Sequence, residues 1–321
     1  MNELEAVREV LEIELDSNVI SIEELGGDAK GTFDVELEDE NVIVHICSES
    51  RFEKRFETEA LILQKVKNSS SLPVPSVLAS DISKENIPYM YLVTEKVSGY
   101  NPRDKFKYLP VKTRKEVLFQ IGRYIGIQHR ELQFQNHGHF TYNKSKNSLT
   151  IDSKSWTDTV QEMVKTFLDD IKWDPYKQLI PIARETVENN INIIEEGFQP
   201  VLLHNDYSCD NIMIEDGKVS TILDWEMAIS GHKEYDFFKA DKRFIDAKFQ
   251  TKQIREEMRK HLYKGYLSVN SFDKGWKERR KFYRYINIIE GLRVFHEYKE
   301  QLAQQERENR QKFHKKYIKD G

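Results

Sequence analysis

What the chain has little of narrows it first. Cysteine occurs twice in 321 residues, as Cys47 and Cys209. Two thiols so far apart do not make a disulfide framework, so a reduced, cytoplasmic setting is expected. No apolar run approaches the roughly 18 residues that span a bilayer, so no membrane partner is expected. The opening MNELEAVREVLEIEL alternates charged with apolar residues and has no signal-peptide core. A formal charge of -5, with no basic stripe before the C-terminal end, gives no reason to expect nucleic acid. There are no internal repeats. The length suits about two domains, and 32% charged residues suit a globular protein.

The N-terminal part reads as a small sheet with helices. Residues 3–15 have helical spacing through Leu4, Val7, Val10 and Leu11. Strands are expected over Ile20–Leu25, Phe33–Leu37 and Val42–Ile46. The first two are joined by Gly26-Gly27-Asp28-Ala29-Lys30-Gly31. Glycines such as Gly26, Gly27 and Gly31 let backbone N–H groups approach phosphates, although glycine turns are common without a ligand. No G-K-[ST] follows, so this is not a Walker loop. On the third strand Val42, Val44 and Ile46 share one face, and His45 points to the other. Residues 51–67 form an amphipathic helix through Phe56, Ala60, Leu63 and Val66. Glu59 on that helix is placed to favour a charged His45. Short strands follow at Val77–Ala79 and Tyr89–Val93. Thr94 to Gly99 reads as a hinge, where backbone near Glu95 and Val97 could bind an adenine edge; a plain strand-to-loop exit reads as well.

The C-terminal part is mostly helical. Helices are expected over residues 111–132, 155–172, 176–197, 249–268 and 274–303, with another starting at Tyr235. Residues 136–153 are polar and read as a loop, Ser230-Gly231-His232 as a turn. The charged tail 304–321 reads as a solvated helical face or a frayed end.

The chemistry is concentrated in VLLHNDYSCDNIMIEDGKVSTILDW, residues 201–225. Apolar runs Val201–Leu203 and Ile212–Ile214 flank a polar loop, and Val219–Leu223 ends at Asp224. The pattern His204-x-Asp206, then Asn211, then a strand ending in Asp224, is a phosphoryl-transfer set. Asp206 would accept the proton of a substrate hydroxyl, while Asn211 and Asp224 would hold Mg²⁺ on nucleotide phosphates. Turn-forming Asp and Asn in a surface hairpin are the bland alternative.

These residues resemble the aminoglycoside phosphotransferase family. Leu203-His204-Asn205-Asp206 is similar to its L-H-G-D, Asn211-Ile212-Met213 to its N-x-L/I, and Ile222 to Ala228 to its I-D-W-E-x-A. Gly231 and Tyr235-Asp236 resemble its later G-D-P-x-Y-D-L segment, and His45 to Pro75 looks most like the hygromycin phosphotransferase branch. The resemblance covers roughly residues 20–300. It implies an α+β, bilobal, protein-kinase-like fold: a small sheet lobe with one main helix at 1–97, and a larger, mostly helical lobe at 98–321. It implies ATP, or GTP, with Mg²⁺ as cofactors and a small-molecule hydroxyl as acceptor. An aminoglycoside leads; choline, homoserine, methylthioribose or another alcohol or sugar follows. A nucleotide-binding pseudokinase is the remaining alternative. Departures are Asn205 for Gly, His232-Lys233 for Asp-Pro, and His45 for Lys or Arg. The A-P-E segment of protein kinases is missing.

A polycationic acceptor needs an acid-lined cleft. Glu226, Glu234, Asp169 and Asp170 are the candidates, although acidic helix residues are ordinarily just solvated.

Overall fold

Asn2 starts the first helix chemically. Its side chain accepts from the Glu5 N–H and its own N–H donates to the Glu5 carboxylate, both at 2.9 Å. In this computed structural model the described residues are 1–26, 31–49, 52–143, 148–152, 154–195, 197–246, 248–249, 251–301 and 304–320. Helix α1 (Glu3–Leu15) buries Ala6, Val7, Val10 and Leu11. It packs on a five-stranded antiparallel sheet made of β1 (Val19–Glu24), β2 (Gly31–Leu37), β3 (Asn41–Cys47), then, beyond α2 (Glu53–Ser69), β4 (Val77–Asp81) and β5 (Met90–Glu95). The strand order is β1-β2-β3-β5-β4. Val42, Val44 and Ile46 are wholly buried with α1, so alternation turns Ile43 and His45 to the opposite face. Phe56, Ala60, Leu63 and Val66 of α2 join the core of the C-terminal part instead. One helix thereby belongs to both halves.

The remaining chain runs through α3 (Val111–Glu131), β6 (Gly138–Asn143), β7 (Ser148–Ile151), α4 (Trp156–Asp169), α5 (Asp174–Lys177), α6 (Ile180–Asn190), β8 (Val201–Leu203), β9 (Ile212–Glu215), β10 (Lys218–Ile222), β11 (Ile229–Gly231) and α7 (Lys233–Asp241). A π-helical turn, Lys242–Asp246, follows α7. Helices α8 (Lys252–Leu267), α9 (Trp276–Tyr298) and α10 (Gln304–Asp320) close the described chain. Helices α3 and α8 cross at Gly122 and Gly265, where an added Cβ would lie 1.9 Å from a backbone oxygen of the facing helix. The expected α+β arrangement, a sheet-bearing first part and a helical second part, is present.

Four sequence expectations change. Of the stretch 136–153, expected as a loop, residues 144–147 and 153 lie outside the described residues, and the rest includes two antiparallel strands, β6 and β7, in a sheet ordered β7-β6-β11-β8. Their polarity reflects half-exposed strands, β7 at the sheet edge and β6 inside it, which only tertiary pairing reveals. Ser230-Gly231 belongs to β11 rather than to a turn, with the Trp156 ring where a Cβ of Gly231 would sit. The helix over 176–197 is broken, since Pro181 lies in the first turn of α6 and a 3-10 turn takes Ile191–Ile194. The tail is helical, as one of its two readings had it, but α10 is not a wholly solvated face. Its Ile318 is fully buried, and His314 Nδ1 lies 2.7 Å from Tyr176 Oη. Among the described residues no helix is long and apolar enough to cross a membrane.

Candidate active site

β8 ends at Leu203, and the chain turns at once into His204-Asn205-Asp206. Asp236, on α7, builds this turn. Its carboxylate is 1% exposed. It accepts from the N–H of His204 at 3.1 Å and of Asn205 at 2.8 Å. Gln128 Nε2 donates to it at 3.1 Å, and His129 Nε2 stands 3.4 Å away. Burial opposes ionisation, but the His129 and Asn205 donors outweigh it, so the Asp236 carboxyl lies below its ordinary pKa. Asn205 takes φ 63°, a left-handed angle that Asn tolerates in place of Gly.

The buried His204 ring links two loops. Its Nε2–H donates to Leu223 O at 2.9 Å, and its Nδ1 accepts from the Asp206 N–H at 3.2 Å. These partners assign the neutral tautomer. Burial holds the ring below its ordinary pKa, in agreement. Asp206 is thereby fastened to the end of β10.

Asn211 and Asp224 complete the group. Asn211 Nδ2 donates to Asp206 Oδ2 at 2.8 Å and to Asp206 O at 3.0 Å. That turns the Asn211 Oδ1 away from Asp206. Leu223 N–H donates to Asn211 O at 2.9 Å, which sets Asn211 beside the residue preceding Asp224. Asp224 has φ 61°. Its carboxylate gathers with those of Glu59 and Glu226, one oxygen of each lying within 4.8 Å of the others. Clustered carboxylates are hard donors of the kind Mg²⁺ takes, and the Asn211 amide oxygen is a donor of the same kind.

The other lobe contributes at longer range. Glu59, expected beside His45, reaches the Asp224 and Glu226 carboxylates from α2. His45 lies on the face of β3 away from α1, with Nδ1 3.0 Å from Thr32 Oγ1. Gly26 has φ 79° and Gly31 opens β2, while Gly27 lies outside the described residues. At the hinge the Glu95 N–H bonds Ser76 O at 3.1 Å, and the Lys96 N–H bonds Asn41 O at 3.0 Å. The Glu95 carboxylate accepts from Ser76 at 2.7 and 3.0 Å and from Lys67 at 3.3 Å. Burial works against its charge, but these donors hold its pKa below the ordinary value. The Glu95 side chain is thereby committed to Ser76 and Lys67. Gly99 has φ 101°, and a Cβ there would lie 2.6 Å from Ile214 O. Only glycine lets the hinge pass so close to β9.

The acidic candidates all carry arginines. Glu226 pairs with Arg55 at 3.4 Å, Asp169 with Arg184 at 3.8 Å, and Asp170 with Arg293 at 3.8 Å. Glu234 is a correction. It is fully buried and accepts from Arg279 Nε at 2.7 Å, Arg279 Nη2 at 2.8 Å and the Asp273 N–H at 3.1 Å. Burial behind that fork withdraws it from any acceptor surface. His232, Glu234 and Asp273 cluster like metal ligands, but Arg279 and Lys233 already neutralise them. A cavity of about 290 Å³ adjoins the catalytic loop, lined by Arg55, Thr58, His139, Asn205, Glu226 and Met227 among others. A larger one of about 490 Å³, between α4 and α6, is lined by Lys154, Glu162 and Arg184 and lies apart from Asp206 and Asp224.

Sequence reasoning missed four residues around Asp206: Arg243, Lys239, Glu290 and Asp236. Arg243 pairs with Asp206 Oδ1. Lys239 Nζ donates to Asn205 Oδ1 at 3.0 Å and to Glu290 at 2.9 Å. Asp236 was visible in the Tyr235-Asp236 signature but had no assigned task. Nothing in the sequence marked Arg243 or Glu290, because α9 comes beside α7 only in the fold.

The Phosphotransferase enzyme family profile matches residues 21–282. No curated protein matches the chain. Among solved structures, a thermostable mutant of aminoglycoside phosphotransferase APH(4)-Ia, in ternary complex with ADP and hygromycin B, has TM-score 0.71 at 13% identity, covering 98% of this chain and 99% of that one. The gentamicin complex of APH(2")-IIa has TM-score 0.66 at 14% identity, with 99% and 96% covered. A provisionally assigned fructosamine-3-kinase from Haemophilus somnus 129PT has TM-score 0.63 at 17% identity, with 98% and 97% covered. Such identities carry the fold alone, whereas the profile spans most of the sequence: the chain belongs to the phosphotransferase enzyme family.

Proposed function

We propose that the protein transfers the γ-phosphoryl group of ATP to a hydroxyl of a small molecule, with residues 1–97 as the nucleotide lobe and 98–321 as the catalytic and acceptor lobe. The observation that carries this reading is that the Asn211 amide and the His204 ring fasten Asp206 to Asn211 and to Leu223, the residue before Asp224. Asp206 orients the acceptor hydroxyl and takes its proton. Asn211 and Asp224, with Glu59 adjacent, hold Mg²⁺, which when bound supplies charge neutralisation on the phosphate oxygens. His45 and the Gly26 to Gly31 backbone position the phosphates. The Glu95 carbonyl and Val97 backbone take the base of ATP, or of GTP. Catalysis on this reading is positioning and charge stabilisation.

Similarity to aminoglycoside phosphotransferases supports an aminoglycoside acceptor. The arginines on Glu226, Asp169 and Asp170 favour a second reading, a sugar or other alcohol. A panel of hydroxyl acceptors with ADP release as readout separates the two. Nucleotide binding with no ADP release for any acceptor would point instead to a nucleotide-binding pseudokinase.

A further inference from the structure

Three cations gather beside Asp206. Lys239 ends α7, and Lys242 and Arg243 begin the π-helical turn. Such turns are rare and occur frequently at functional sites. Glu290 of α9 faces them, 2.9 Å from Lys239 Nζ and 3.9 Å from Arg243 Nη2. Arg243 also holds Asp206 Oδ1. Lys239, Lys242 and Arg243 set against Glu290 and Asp206 leave one positive charge in excess. Lys242 expresses that excess. Its Nζ donates to a neutral group, the carbonyl of Asn287. Burial, together with the fields of Arg243 and Lys239, pushes its pKa down to about 8 against the pull of Glu290. Asn287, the residue whose backbone carbonyl receives Lys242, is itself 1% exposed, and among the described residues neither its side-chain Oδ1 nor its Nδ2 has a hydrogen-bond partner. Buried amides are ordinarily satisfied, so an unsatisfied one on the residue that receives Lys242 asks for a ligand.

We infer that the acceptor carries an anionic group, a carboxylate or a phosphate monoester, near the hydroxyl that is phosphorylated, and that Arg243, Lys242 and Asn287 bind it. This rests on the proposed phosphotransferase reading and narrows its acceptor. A guanidinium matches both anions in a two-pronged geometry. A polycation brought to the same place meets three like charges, and the acids once expected to receive it are paired with arginines. Recognition is also coupled to the chemistry. When the anion engages Arg243, Asp206 Oδ1 is released to the acceptor. The hydroxyl proton passes to Asp206, the oxygen forms its bond to the γ-phosphorus, and the bond from that phosphorus to the β–γ bridging oxygen breaks, so that ADP leaves.

The test is calorimetric titration of the full chain, saturated with Mg·ADP, by glucuronate, glucose 6-phosphate, glucose and glucosamine. These present a carboxylate, a phosphate, no charge and an ammonium on closely related hexose skeletons. At least one anion is expected to bind about tenfold or more tighter than glucose, about 1.4 kcal/mol, with glucosamine weakest. Arg243→Gln and Lys242→Gln each lower anion affinity by roughly tenfold while changing glucose binding little. If Arg243→Gln fails to fold, Lys242→Gln and the charge-conserving Arg243→Lys decide the matter, the first losing anion affinity and the second retaining part of it. Equal binding of glucose or glucosamine, no binding of either anion, or unchanged anion affinity in the variants overturns the inference. Failure of the wild-type chain to bind Mg·ADP contradicts the phosphotransferase reading itself.

Discussion

Asn211 Nδ2 lies 2.8 Å from Asp206 Oδ2 and 3.0 Å from the Asp206 carbonyl. One amide thus does two tasks. On the proposed reading, its nitrogen end aims the base and its oxygen end is left for a cation. Replacing Asn211 with Ala removes both at once. The expected outcome is a fall in kcat of roughly 100-fold or more, the usual size of a lost acid–base contribution. The Mg²⁺ requirement should rise in the same variant, while its thermal midpoint stays near that of the wild type.

Asp236 acts on the loop rather than on substrate. Its carboxylate gathers the His204 and Asn205 N–H groups with Gln128 and His129. Asp236→Asn replaces a charged acceptor by an amide that cannot receive all of them. Chemical denaturation should show a loss of at least about 1.5–3 kcal/mol, the value of one hydrogen bond to a charged group. Turnover of the folded fraction should fall as well, because Asp206 loses its support. Wild-type stability in this variant would refute the hub role.

Glu234 should behave as a structural residue. Its pairing with Arg279 is buried on both sides, at 0% and 6% side-chain exposure. Removing one partner from such a pair costs roughly 3–5 kcal/mol. Glu234→Ala is therefore expected to unfold at much lower denaturant while leaving the acceptor KM of the remaining folded enzyme unchanged. A selective rise in that KM, without a stability loss, would return Glu234 to the acceptor site.

Acid should destabilise the fold in two stages. Burial holds His137 and His314 down from 6.5 to about 4. Their folded pKa lies below the unfolded one, so between those values the unfolded chain binds more protons. Stability is then lost as pH falls from 6.5 towards 4, by about 1.4 kcal/mol per pH unit for each histidine. Glu290 is held at about 2, where burial is outweighed by Lys239 and Arg243. Asp273 is also held at about 2, chiefly by its hydrogen bond with His232. Their contribution is present above the ordinary carboxylate range and disappears as pH falls through it towards 2. Denaturation midpoints measured from pH 8 to pH 3 check both stages, and His314→Gln should flatten the first.

The legible parts of the molecule were those with local signals. Periodicity located α1, α2 and α3 and the inward face of β3, and spacing alone brought Asp206, Asn211 and Asp224 together. The illegible parts depend on contacts distant in sequence. Strands β6 and β7 are polar because they are half-exposed, and their pairing with each other and of β6 with β11 is what makes them strand. Helix α10 is highly charged, yet the few residues it buries, Ile318 and His314, decide its packing. Glu234 looked like an acceptor ligand because sequence does not show that Arg279 would cover it. Arg243 gave no signal because its task is defined by Asp206 and Glu290, one on a loop and the other on α9.

The most direct measurement is acceptor-dependent ADP release from Mg·ATP by the wild type, Asp206→Asn and Asp224→Ala, with nucleotide binding measured in parallel. The wild type should release one ADP for each acceptor phosphorylated. Asp206→Asn should bind Mg·ATP normally yet turn over roughly 100-fold or more slowly, since it has lost only the base. Asp224→Ala should lose Mg²⁺-dependent nucleotide binding as well, with the fold retained in both. Wild-type turnover by either variant would contradict the assignment of this site.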